Sequence, residues 1–121
     1  MDAETLRNYC LSLNGVTESF PFDEHVLAFK VKGKIFALTD IDKFESVNLK
    51  CEPGEAIELR EKYEAVLPGY HMDKKHWNTV MMKSNLPDAL IKEWIKNSYE
   101  LVVAKLSKKL QNELRNEERM G

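Results

Sequence analysis

Apolar residues recur along this chain with two different periods, and the switches between them mark out the elements. From Asp2 to Leu13, the residues Leu6, Tyr9, Cys10 and Leu13 fall at helical spacing. Asp2 supplies an N-cap, and Gly15 a stop just past Asn14. The period then drops to two. In His25 to Val31, Leu27, Phe29 and Val31 share one face while Ala28 and Lys30 share the other. Lys32 and Gly33 predict a tight turn, after which Lys34 to Thr39 runs back. A third alternating run, Ser46 to Cys51, turns Val47, Leu49 and Cys51 inward and Asn48 and Lys50 outward. Short connections between these runs predict an antiparallel meander. The stretch Val16 to Asp23 reads as an ordered loop, because Pro21 argues against a central strand there.

Pro53 suits the first turn of a helix whose stripe is Ala56, Leu59 and Tyr63. Leu67, Pro68 and Gly69 break that pattern. An extended stretch between Tyr70 and Lys83 follows, strongest at Trp77 to Met82. Pro87 and Asp88 then open a helix with Leu90, Ile91, Trp94 and Ile95 on its apolar face. Tyr99, Leu101, Val102 and Leu106 continue it after an expected bend near Asn97 and Ser98. Beyond Ser107 the chain is charge-rich, and Leu110 and Leu114 predict a helical extension that frays. The order is helix, three strands, helix, two strands, then one or two helices. Strands clustered apart from helices predict an α+β two-layer sandwich, an antiparallel sheet with helices on one face. One domain over residues 1–106 and a charged C-terminal helical extension or tail over 107–121 are expected.

Composition narrows the function classes. A hydrophobic fraction of 43% excludes a disordered chain, and no run approaches the ~20 apolar residues of a membrane span. The acidic start lacks the basic and apolar regions of a signal peptide, so the cytoplasm is the expected compartment. Cys10 and Cys51 form no CxxC pair and read as small buried hydrophobes rather than a disulfide. The formal net charge is −2, so any binding of nucleic acid must rest on a local patch.

Candidate chemistry is sparse. The glycines Gly33, Gly54 and Gly69 are isolated and form no phosphate-cradling loop. His71, Asp73 and His76 are the densest group of metal-ligating types, but their spacing matches no metal motif, so no metal or cofactor is expected. The scattered carboxylates suggest no acid–base pair, and no signature marks Cys51 as a nucleophile. The stronger signal is basic and aromatic. Lys30, Lys32 and Lys34 cluster at one hairpin, with Lys30 and Lys32 expected on the same side, and Lys50 faces outward from the third strand. His71, Lys74, Lys75, His76 and Trp77 form a second cluster. Lysines of this kind meet phosphates, while Trp77 and Asn78 are candidates to meet bases. Lysines on strands also guard sheet edges, and Trp77 fits a core equally well.

Seven stretches stand in the order of a known family: Gly15 to Asp23 (GVTESFPFD), Phe29 to Lys34 (FKVKGK), Val47 to Cys51 (VNLKC), Pro68 to Met72 (PGYHM), Lys74 to Val80 (KKHWNTV), Leu86 to Asp88 (LPD) and Ser98 to Lys105 (SYELVVAK). On these the chain, from Leu6 to Leu106, resembles the MmcQ/YjbR family of small bacterial proteins. The resemblance implies a CyaY-like or secretion-chaperone-like sandwich and a DNA-binding protein with a double-wing motif. It carries the family's basic signature onto Lys30, Lys34, Lys50, His71, Lys74, Lys75, His76, Trp77 and Asn78. Two positions depart from the family: Asp73 replaces a usual asparagine, and Asn14 a usual proline. The expected function is therefore non-enzymatic DNA or anion binding. The alternatives are a protein-interaction or chaperone-like module and, more remotely, an enzyme holding a small anion with Lys34, Lys50 and His71.

Overall fold

A computed structural model describes residues 1–69 and 72–120. Its elements run α1 (Ala3–Ser12), β1 (Val16–Ser19), β2 (Val26–Val31), β3 (Lys34–Asp40), β4 (Ser46–Lys50), α2 (Pro53–Lys62), β5 (Val66–Pro68), β6 (Trp77–Met81), α3 (Asp88–Ala104) and α4 (Lys108–Met120). The strands form one antiparallel sheet in the order β1-β2-β3-β4-β6-β5. The expected α+β sandwich, with its antiparallel sheet, is the observed fold. Among the described residues no helix is long and apolar enough to cross a membrane.

Register decides which side chains meet the helices. Phe29 pairs with Ala37, Ala37 with Leu49, and Val47 with Val80, so these buried residues share one face. Leu6 and Cys10 of α1, and Ile91, Trp94 and Ile95 of α3, join them in a single core. The local signals behave as their chemistry demands. Asp2 caps α1 by accepting from the Thr5 N–H at 2.7 Å, and Pro53 occupies the first turn of α2. Phe36 is an extra residue on β3, because the register slips between the pairs Phe29–Ala37 and Lys30–Ile35. At this bulge the Ser98 hydroxyl of α3 donates to the Phe36 carbonyl at 2.6 Å and accepts from the Lys50 N–H at 2.8 Å.

Four expectations need correction. Val16–Ser19 is a strand rather than a loop, but an edge strand that ends two residues before Pro21. Val66–Pro68 is a second short edge strand where only a break was expected. Asn97 and Ser98 do not bend α3, because Ser98 is fully buried and gives its hydroxyl to the sheet instead of to its own helix. The expected helical extension is present as α4, but it docks instead of fraying: Ser107 Oγ accepts from the Leu110 N–H, and Leu114 is 3% exposed against the core. Leu114 lies against Gly15, where φ is +73° and an added Cβ would come within 2.5 Å of Leu114 Cδ2.

Candidate nucleic-acid interface

Antiparallel topology brings three connections to one end of the sheet. The β2–β3 turn, the end of β4 and the β5–β6 loop all lie there, since β2 and β4 finish where β3 and β6 begin. This end gathers Lys30 near the close of β2, Lys34 at the start of β3, Lys50 at the close of β4, and Lys74 and Lys75 just before β6. Lys34, Lys74 and Lys75 are exposed, and Lys30 and Lys50 half-buried. None of the five forms an ion pair or a side-chain hydrogen bond within the described residues.

Lys30 and Lys50 share the sheet face turned away from the helices. Lys30 opposes Thr17 and Ile35, and Lys50 opposes Trp77. With strands about 4.8 Å apart, β2 and β4 set these two lysines roughly 10 Å from each other. That exceeds the Debye length of about 8 Å at physiological salt, so the two charges are partly screened from each other there and act together more strongly at low salt.

The other candidates separate from this group. Lys32 does not project beside Lys30, because alternation stops at the turn, where Lys32 takes φ +50°. Its ammonium meets Glu117 at 2.7 Å and Glu113 at 3.5 Å on α4, and these carboxylates raise its pKa. Asn78 is 2% exposed and faces α2, where its amide oxygen accepts from Arg60 Nε at 2.8 Å and its amide nitrogen donates to the Ala56 carbonyl. It is a pin between helix and sheet, not a surface group. Trp77 lies on the outer face but is 9% exposed, with the Gly69 backbone packed so close that a Cβ there would sit 2.8 Å from Trp77 Cβ. Little of the indole is left for stacking. His71 lies outside the described residues.

The segment carrying Lys74 and Lys75 is held by side chains that the basic pattern does not reveal. Asp73 accepts from the Lys75 N–H at 2.9 Å and bonds the His76 ring at 2.5 Å. The His76 ring first, and the Lys75 N–H second, hold the Asp73 carboxyl below its ordinary range. Arg60 donates to the Lys74 carbonyl at 2.6 Å and ties the loop to α2. Asp73 thus shapes the loop while placing a carboxylate near Lys75. Arg60 was missed in the sequence because its role needs the α2–β6 contact to be known.

Burial pushes the Cys10 thiol up to about 12 and the Cys51 thiol up to about 11, leaving both protonated at neutral pH. Among the described residues no three His, Cys, Asp or Glu side chains are grouped to hold a metal ion.

Comparison with known proteins places this geometry among relatives. The family model YjbR matches residues 11–101. The chain is 35% identical over 113 residues to the uncharacterized protein YbdF of Escherichia coli O157:H7, covering 93% of each chain. It is 32% identical over 104 residues to the uncharacterized protein YjbR of Escherichia coli K12, covering 85% of this chain and 88% of that one. Among solved structures, the DUF419 domain protein DR2400 of Deinococcus radiodurans superposes with a TM-score of 0.88 at 38% identity, over 93% of this chain and 87% of that one.

Proposed function

The chain belongs to the YjbR family, and from that premise we propose that it is a small non-enzymatic domain that binds DNA through the lysine-rich end of its sheet. One observation carries this reading: Lys30, Lys34, Lys50, Lys74 and Lys75 converge at one end of the sheet, and among the described residues none of their ammonium groups is held in an ion pair, although the Asp73 carboxylate lies near Lys75. A chain of net charge −2 attracts a polyanion only where its positive groups are segregated, and this end provides such a place. The β2–β3 and β5–β6 hairpins supply the two wings of a double-wing contact. Trp77, Asn78 and Lys32 serve the fold and leave the contact to phosphate-seeking lysines, so binding is weak in sequence preference and strong in salt dependence.

Fluorescence anisotropy with a labelled duplex between about 50 and 200 mM salt tests the reading. Replacing Lys74 and Lys75 together by Ala weakens binding and lowers the salt slope by about two units. No binding of the parent at low salt, or an unchanged slope in the variant, rejects it. A second reading, a protein-interaction module, draws on the exposed Phe20, Phe22 and Ile41 at the opposite end of the sheet, which are 47%, 72% and 37% exposed.

A further inference from the structure

The helix layer is not continuous. α3 packs over β2, β3 and β4, whereas α2 packs over β5 and β6. The two helices are brought together by Tyr63 and Trp94, whose rings meet edge to face at 5.2 Å. Beyond that contact they leave a cleft of about 310 Å³. This lies at the lower end of the ~300–1,000 Å³ range of small-molecule sites. Its floor is Leu49, Val66 and Val80 from three neighbouring strands, and its walls are Leu59 of α2 and Trp94 and Leu101 of α3. Leu59 packs against the core and is half-buried, with part of its side chain lining this space.

The polar groups of the cleft are one-sided. Glu52 and Glu55 border it from the start of α2, and Glu100 from α3, while Lys50 at the end of β4 is the single cation among the described lining residues. The carboxylates are exposed at the mouth of an apolar hollow. Cys51 lines the same space as a neutral thiol. Asn97 adds a carboxamide that has no hydrogen-bond partner within the described residues. An anionic ligand would meet repulsion from both helices.

We propose that the α2–α3 cleft is a binding site for a small apolar molecule bearing a primary ammonium group. The apolar body rests on Leu49, Leu59, Val80 and Trp94, and the ammonium sits at the mouth between Glu55 and Glu100. Asn97 accepts one of its N–H bonds. This site borders the lysine-rich end at Lys50 but opens between the two helices, and it takes a ligand of opposite charge.

The test uses the full chain and three probes with one shared body: 4-phenylbutylamine, 4-phenylbutan-1-ol and 4-phenylbutyrate. Titration is followed by the backbone amide shifts of Leu49, Val80 and Leu101 and by protection of Cys51 from alkylation. The amine is expected to half-saturate at a concentration about tenfold below that of the carboxylate, with the alcohol between them. Glu55→Gln combined with Glu100→Gln, both at exposed positions that leave the fold intact, erases most of that difference without abolishing the alcohol's shifts. Equal binding of amine and carboxylate, a preference that survives the double substitution, or no shift with any probe overturns the proposal.

Discussion

Ser98 and Lys50 are joined by a bond that a regular sheet would have made between strands. At the β3 bulge the Lys50 N–H has no carbonyl opposite it, and the Ser98 hydroxyl of α3 accepts it while donating to Phe36. A helix side chain thereby completes the ladder beside the bulge and fixes the end of β4, from which Lys50 projects. Removing the hydroxyl leaves two backbone groups unpaired near a fully buried position.

Ser98→Ala therefore destabilises the domain by about 1–3 kcal/mol. Urea unfolding should show a lower midpoint with an unchanged slope, because the surface exposed on unfolding stays the same. A midpoint equal to that of the parent would mean that the bulge re-pairs without help.

Gly15→Ala separates the tail helix from the domain. The substitution places a Cβ at φ +73°, at a cost of about 1–2 kcal/mol, and sets it against Leu114. The Asn14 amide donates to the Leu114 carbonyl at 2.8 Å, so the same change disturbs that bond. Hydrogen exchange should accelerate across α4 more than across α3.

Cys51 and Cys10 differ in access rather than in chemistry. Both thiols are held protonated, but Cys51 borders the cleft while Cys10 is fully buried. Iodoacetamide should modify Cys51 first, at a rate that rises about tenfold per pH unit toward its pKa of about 11. Cys10 should react only at the rate of global unfolding. Because folding raises both values, the contribution of these thiols to stability is complete below the unfolded cysteine range and is lost as pH rises through the folded values.

Asp73→Asn removes a carboxylate from beside Lys74 and Lys75. The Lys75 N–H keeps an acceptor, so the loop holds its shape. Duplex affinity should rise about two- to fivefold at low salt. The folded carboxyl lies below its ordinary value, so its stabilising effect is present above the unfolded carboxylate range and is lost as pH falls through the folded value. Acid titration of the variant should therefore be flatter than that of the parent.

Most of the fold was legible because its long elements repeat. The stripes Leu6–Cys10 and Ile91–Ile95, and the alternation Leu27–Phe29–Val31, each specify one buried face without outside help. β1 escaped because four residues at an edge, with Glu18 turned toward Arg7 instead of into the core, carry no alternation to read. Lys30, Lys34, Lys50, Lys74 and Lys75 could be named in sequence, but their meeting depends on strand order. Parity fails altogether at Trp77 to Val80, where four consecutive residues are buried. Asn78 was placed at the surface for that reason. Leu114 showed helical spacing, yet its docking partner Gly15 lies 99 positions away.

Both outer strands of the sheet are brief. β1 has four residues and is followed by Pro21, and β5 has three and ends on Pro68, which has no N–H to offer. A neighbouring chain that approached either rim would find too few donors and acceptors to extend the sheet. The six strands thus form a closed set, protected against fibril-like growth without being rolled into a barrel.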